Sequence, residues 1–328
     1  MKYIEHGPGT GADTLVLQEA ATPRAGAHEV LIRVAFAGVN RPDVLQRLGL
    51  YNPPPSACPY LGLEVAGTVE QVGEAVTRWK AGDQVCALTH GGGYAEFCVA
   101  DERHCLPVPA GLTLAQAAAL PENYITVWAN LFAGKLVSAG KSVLVHGGSS
   151  GIGITAIQLA REVGAEVAVT AGNAHKLEIC RRHGATHLIN YREQDFNDAV
   201  AEATDGRGVD VVLDMVGGRY IEKNLRALAL DGALVQIAFL EGSRVDIDLL
   251  PVMLKRLNVT GSTLRARTPQ NKAELIEGLR AAFWPVLEQG RCLPLIHAVM
   301  PLAEAGRAHA LMESSTHAGK ILLEVAPA

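Results

Sequence analysis

Residues Lys141 to Gly164, KSVLVHGGSSGIGITAIQLAREVG, constrain the fold more than any other stretch of the chain. Four of the five residues from Ser142 to His146 favour a buried strand, and Gly147-Gly148-Ser149-Ser150-Gly151 then turns the chain. Ile152, Ala156, Leu159 and Val163 follow at helical spacing on one face. A strand that runs through a glycine turn straight into a helix leaves backbone N–H groups at the helix N-terminus, where the dipole favours an anion. Small residues let a diphosphate come close to that backbone, so the stretch reads as a nucleotide-phosphate site. Against the pattern G-x-G-x-x-G it gives Gly148, Ser149, Ser150, Gly151, Ile152 and Gly153, with serine in place of the middle glycine. Taken alone, the same stretch also suits a strand-to-helix turn with no ligand.

The same residues spell a rival. Gly147-Gly148-Ser149-Ser150-Gly151 fits the G-x-S-x-G elbow of serine hydrolases, and His90-Gly91-Gly92-Gly93 upstream fits an HGGG oxyanion motif. On that reading Ser149 is the nucleophile, and an acid and a base follow downstream, for instance Asp246 and His297.

A chain of 328 residues can bury a large core and is expected to form two domains. With 48% hydrophobic and 19% charged residues it has the composition of a folded globule and not of a disordered chain. A net charge of -5 argues against nucleic acid as a principal partner. No apolar run reaches the length of about 18 residues that spans a bilayer. The N-terminus, MKYIEHGPG, lacks the basic and apolar regions of a signal peptide, so a cytoplasmic location is expected. The six cysteines include no C-x-x-C pair, which disfavours a zinc or redox motif.

Before Lys141 the pattern is short and alternating. TLVLQE, EVLIRVAF, VAGTVEQV, QVCAL and YAEFCV read as strands broken by glycine turns, which suggests a small barrel or sandwich up to about Pro109. A short helix is expected after Pro42, and Tyr51-Asn52-Pro53-Pro54-Pro55 is expected to be an irregular loop. Thr113 to Gln116 has the form of a capping box. From Lys141 strands and helices alternate through NVTGSTL, which predicts a doubly wound parallel sheet of six strands. After Arg265 helices are expected at Asn271 to Glu288 and Pro301 to Met312, and a last strand, ILLEV, is expected to return to the first domain.

Several motifs together resemble the zinc-independent quinone oxidoreductases of the medium-chain dehydrogenase/reductase superfamily, most closely the p53-inducible type. They are Gly38-Val39-Asn40-Arg41-Pro42-Asp43, Gln46, Tyr51-Asn52-Pro53-Pro54-Pro55, Leu61 to Gly67, Trp79 to Asp83, Gly91-Gly92-Gly93, Gly151-Ile152-Gly153, Leu213-Asp214, Gly217-Gly218, Leu230-Asp231-Gly232 and Gly319-Lys320. The resemblance covers essentially the whole chain. It implies a GroES-like substrate domain over residues 1–122, a Rossmann domain for NADPH over residues 123–264 and a segment at 265–328 that completes the first domain. It also implies a homodimer formed through the last strand of the cofactor sheet. Where zinc-dependent relatives carry a cysteine and a histidine ligand this chain has Asn40 and Leu63, and only Glu64 remains, so no metal is expected.

The second strand of the sheet ends Val169-Thr170-Ala171-Gly172-Asn173, with no carboxylate for a ribose, while Lys176 follows close by. Lys176 with help from Arg181 or Arg182, together with Tyr191 and the family's matching residues, implies NADPH. Lys176 as an ordinary helix residue and Tyr191 as a sheet aromatic also remain open. Gly148, Ser150, Gly151, Ile152 and Gly153 of the phosphate turn, with Gly172, are expected at the cofactor, and Asn40, Thr126, Ala238, Phe239 and Arg265 near the nicotinamide, with Arg265 reaching a phosphate; helix packing for Thr126 and a surface role for Arg265 also remain open. Asn40 and Tyr51 are expected to orient a quinone oxygen, with the proton coming from Tyr51 or water; Tyr51 as a loop-packing residue beside the prolines also remains open. Reduction of an activated C=C bond in an enone or enal is the alternative inside the superfamily. An NADPH-binding regulatory or RNA-binding role and the serine hydrolase are the remote ones.

Overall fold

The change of sequence period at Lys141 is a change of architecture. The computed structural model describes residues 1–7 and 11–325. It separates into one unit of Met1–Ile125 together with the chain from Arg265 onward, and a second of Thr126–Leu264.

In the first unit β1 (Lys2–Glu5) pairs antiparallel with β2 (Val16–Glu19). The strands β3 (Glu29–Val39), β4 (Glu64–Val72), β5 (Gln84–Leu88), β6 (Phe97–Asp101) and β7 (Cys105–Pro107) are also antiparallel to their neighbours, with β3 joined to β4 and β6. Helix α1 (Arg41–Arg47) follows β3, and Asn40 N–H at its N-terminus donates to Asp43 Oδ2 at 2.9 Å. Thr113 and Gln116 form the expected capping box on α2 (Leu114–Ala118), and α3 (Pro121–Val127) carries the chain into the second unit.

There the expected alternation appears. The strands β8 (Ser142–His146), β9 (Glu166–Ala171), β10 (His187–Asn190), β11 (Val209–Asp214), β12 (Leu228–Gln236) and β13 (Asn258–Gly261) form a parallel sheet ordered β10-β9-β8-β11-β12-β13. Helices α4 (Gly151–Glu162), α5 (Ala174–His183), α6 (Phe196–Ala203), α7 (Tyr220–Ala227) and α8 (Leu250–Leu254) make the connections. Gly184 ends α5 with a left-handed φ of 117°. The order reverses at β8 and β11, the switch point at which sheets of this kind bind ligands.

His146, fully buried at the end of β8, ties the sheet together below the glycine turn. Asn224 Nδ2 donates to Asp214 Oδ2 at 2.9 Å, which turns Asn224 Oδ1 toward His146 Nε2 at 2.7 Å. The proton therefore sits on Nε2, and Nδ1 accepts from Thr170 Oγ1 at 3.0 Å. Burial holds this histidine below its ordinary pKa, so it stays neutral.

The chain returns to the first unit through α9 (Pro269–Glu288), β14 (Ile296–Pro301), α10 (Ala305–Ser314) and β15 (Lys320–Glu324). β15 lies antiparallel to β3, and β14, which was not foreseen, runs parallel to β15. Ile321, Leu322 and Leu323 are fully buried, and each contributes roughly 2 kcal/mol to holding the C-terminal segment on that sheet. Among the described residues no helix is long and apolar enough to cross a membrane.

Candidate functional site

In the second unit the glycine turn has the geometry that close approach demands. Gly147 takes a φ of +67°, and a Cβ added at Gly153 would lie 2.4 Å from the carbonyl oxygens of both Gly147 and Gly148. Only glycine fits at Gly153, because the first turn of α4 rides on the backbone of the loop. Gly148 N–H is spent on Thr170 O and Ser150 N–H on Gly147 O. Ser150, expected at the cofactor, caps the helix: its Oγ accepts from Gly153 N at 3.0 Å, which leaves its O–H able to donate elsewhere. Gly151 and Ile152 remain as the first orphan N–H donors of α4.

At the ends of β9 and β10 the structure groups Gly172, Lys176, Tyr191 and a residue the sequence reading missed, Arg192. A Cβ on Gly172 would come within 2.8 Å of the Tyr191 hydroxyl and 3.3 Å of Arg192 Nε. Burial, and then the Arg192 charge, lower the Lys176 pKa. Arg181 and Arg182, expected to assist, instead both bind Glu178 at 2.7 and 2.9 Å. Glu178 precedes them by three and four positions, so the spacing itself signalled this pairing. Ala238 and Phe239 lie just past β12, and Phe239 is 48% exposed with its ring over Gly217. Thr126 O accepts from Asn130 Nδ2 at 2.8 Å.

Asn40, Tyr51 and Arg265 belong to the first unit. Asn40 is buried and its amide is committed: Nδ2 donates to Glu64 Oε1 at 2.9 Å, and Oδ1 accepts from Lys320 Nζ at 2.7 Å. Lys320 Nζ also donates to Glu64 Oε1 at 2.5 Å, and Glu64 Oε2 accepts from Glu122 N at 2.8 Å. Asn40, expected to orient a quinone oxygen, has both ends of its amide engaged by the buried Glu64–Lys320 pair. Tyr51 lies beneath the guanidinium of Arg265, with 5.8 Å from Cζ to the ring centroid. Arg265 is 6% exposed; Nη1 donates to Gln46 Oε1 at 2.6 Å, while Nε and Nη2 are buried without a partner among the described residues. Such orphan donors cost free energy until an oxygen ligand satisfies them.

The hydrolase reading finds no support in this geometry. Gly92 N–H donates to Tyr60 O at 2.9 Å and Gly93 N–H to Gly62 O at 3.1 Å, so these two amides of the HGGG run are spent on the backbone of Tyr60 and Gly62 and do not face an oxyanion. Ser149 is buried, and His297 Nδ1 accepts from Ala318 N–H.

Comparison with known proteins matches both units. The family described as "Alcohol dehydrogenase GroES-like domain" matches residues 26–110, and the one described as "Zinc-binding dehydrogenase" matches residues 151–280. Quinone oxidoreductase of Rattus norvegicus is 34% identical over 319 residues, 95% of this chain and 94% of the rat protein. The solved structure of Escherichia coli quinone oxidoreductase complexed with NADPH superposes with a TM-score of 0.89 at 29% identity, covering 99% of this chain and all of that one. An NAD-dependent alcohol dehydrogenase superposes with a TM-score of 0.86, also at 29% identity and over 99% of this chain and 100% of that one. On sequence along nearly its whole length, and on the architecture of both units, the chain belongs to the quinone oxidoreductase-like family of the medium-chain dehydrogenase/reductase superfamily.

Proposed function

We propose that the chain is an NADPH-dependent quinone reductase that works without a catalytic metal. The observation that carries the cofactor is the pairing of Lys176 with Arg192 at a place where NAD-preferring sites of this fold keep a carboxylate. Two cations suit a 2′-phosphate, the arginine through its forked donors and the lysine as a point charge. Gly151 and Ile152 head the dipole for the diphosphate, and Tyr191 offers its ring to the adenosine end. Thr126, Gly148, Gly153, Gly172, Ala238 and Phe239 complete the cofactor surface in this reading. The presence of NADPH in the Escherichia coli relative supports it.

The donor set around Glu64 does not suit zinc. Both carboxylate oxygens are occupied, one of them by the Lys320 ammonium, and the flanking side chains are an amide committed elsewhere and Leu63. A second cation there would meet Lys320 directly and find fewer than the three ligands that a catalytic zinc takes. The nicotinamide, when bound, supplies the hydride. The chain then has to hold an acceptor that is already electrophilic, for which Tyr51 and the unpaired nitrogens of Arg265 are available.

Titration of the protein with NADPH and NADH tests the assignment. NADPH is expected to bind more tightly, and Lys176→Ala to weaken NADPH by ~10- to 100-fold while leaving NADH nearly unchanged. Equal affinities in the unaltered protein would count against it.

The partner in this reading is a second copy. β13 is the edge of the parallel sheet, Val259 on it is 53% exposed, and Leu249, Met253 and Leu254 nearby are 61–69% exposed. An uncovered strand edge beside apolar side chains favours pairing with another chain. Met253→Asp with Leu254→Asp is expected to convert a dimer to a folded monomer by light scattering; a monomeric unaltered protein would contradict this.

A further inference from the structure

Arg265, Lys272 and His90, all in the first unit, hold polar atoms that no described residue satisfies. With Arg265 Nη1 taken by Gln46, the atoms left are Nε and Nη2, which form one edge of the guanidinium. Their N–H bonds run parallel, the fork that grips both oxygens of a carboxylate. Tyr51 covers the flat face of the same group, so the edge is what a ligand meets. Lys272, near the start of α9, is 4% exposed, and its ammonium has no acceptor and no carboxylate partner among the described residues. His90, in the loop after β5, meets Ser56 Oγ through Nε2 at 3.3 Å, and its Nδ1 is buried without a partner among the described residues. The three lie within reach of one another's charge: burial first, then Lys272 and Arg265, hold His90 down to about 4, and burial and Arg265 lower Lys272 while Glu122 acts the other way. The acids that face the two cations are Asp43, Glu122 and Asp101, and none lies within ion-pair distance of either. Asp43 accepts instead from the N–H groups of Asn40 and Gly62, and Asp101 pairs with Arg103. Two buried cations with unused donors cost free energy until an anion joins them.

We infer that Arg265, Lys272 and His90 form a carboxylate-binding site, and that the acceptor is therefore an acidic one, a quinone or enone that carries a carboxylate. The second half rests on the reductase reading above; the first half stands without it. The Arg265 fork takes both oxygens, the Lys272 ammonium offsets their charge, and His90 supplies a third polar contact. A dry site of this kind rejects the uncharged analogue, because its donors would stay unpaired. Every residue of the site lies in one unit. A phosphate of the cofactor, the group expected at Arg265 from sequence, would use the same fork, and the test separates the two.

The test titrates benzoate and benzamide into the protein by calorimetry, measures NADPH affinity by fluorescence, and compares kcat/KM for a naphthoquinone carboxylate and its methyl ester. The unaltered protein is expected to bind benzoate and not benzamide, and to prefer the carboxylate quinone by ~10- to 100-fold. Lys272→Met, and Arg265→Lys, which keeps the charge and loses the fork, are each expected to weaken benzoate by ~10-fold or more and to remove most of that preference, with NADPH affinity unchanged. Lys272→Met is also expected to melt no lower than the unaltered protein, since it removes a buried cation that lacks a partner, whereas a merely structural lysine would lower the melting temperature. Equal binding of benzoate and benzamide, or binding of neither, would overturn the site, and an equal kcat/KM for the two quinones would overturn the acidic acceptor. Loss of NADPH affinity in Arg265→Lys would assign the fork to a cofactor phosphate and overturn the inference as well. Benzoate binding by a protein that oxidises NADPH with neither quinone would uphold the carboxylate site and bring down the reductase reading.

Discussion

Lys320→Met is expected to cost about 3–5 kcal/mol of unfolding free energy, measured by urea denaturation. Lys320 is 3% exposed and Glu64 fully buried, and the ammonium donates to Glu64, Asn40 and the carbonyl oxygen of Val39. Methionine keeps much of the side-chain volume but removes every one of these donors. Glu64 would then stand as a buried charge with only Asn40 Nδ2 and one backbone amide for partners. The loss is a large share of the ~5–15 kcal/mol that holds a typical protein folded. Removing both charges together in Lys320→Met with Glu64→Gln is expected to recover much of the stability, because no unpaired ion remains. A single variant within about 1 kcal/mol of the unaltered protein would show that the pair contributes no more than a surface bridge of the ordinary kind.

Gly153→Ala is expected to weaken dinucleotide binding by about 100-fold, since backbone displacements near 1 Å at a reacting or binding centre have effects of that order. The new methyl would sit 2.4 Å from two carbonyl oxygens of the loop it rides on, and backbone cannot rotate aside as a flexible side chain does. Gly134→Ala is the control, because a Cβ there meets nothing within 4 Å. Equal NADPH affinities for the two variants would remove the glycine turn from the cofactor site.

The parts of the fold legible from sequence were those written in short-range periodicity. The strand–helix alternation after Lys141 and the capping box at Thr113 each depend on neighbours a few residues apart. β14 was missed because it alternates between half-buried and exposed residues and includes His297 and Pro301, which gives little apolar signal. The contacts of the site were hidden for a different reason. Asn40 reads as an open amide until Lys320 arrives from 280 positions away, and Glu122 meets Glu64 across 58. No spacing rule reaches that far. Arg192, by contrast, directly follows Tyr191, and the engagement of Arg181 and Arg182 by Glu178 was open to inspection.

The measurement that bears most directly on the central claim is the rate of NADPH oxidation by the purified protein with benzoquinone as acceptor, run beside NADH and beside an enone. The account predicts quinone-dependent oxidation that is faster with NADPH than with NADH and insensitive to metal chelators. Oxidation that requires zinc, or that proceeds with the enone and not with the quinone, would contradict it.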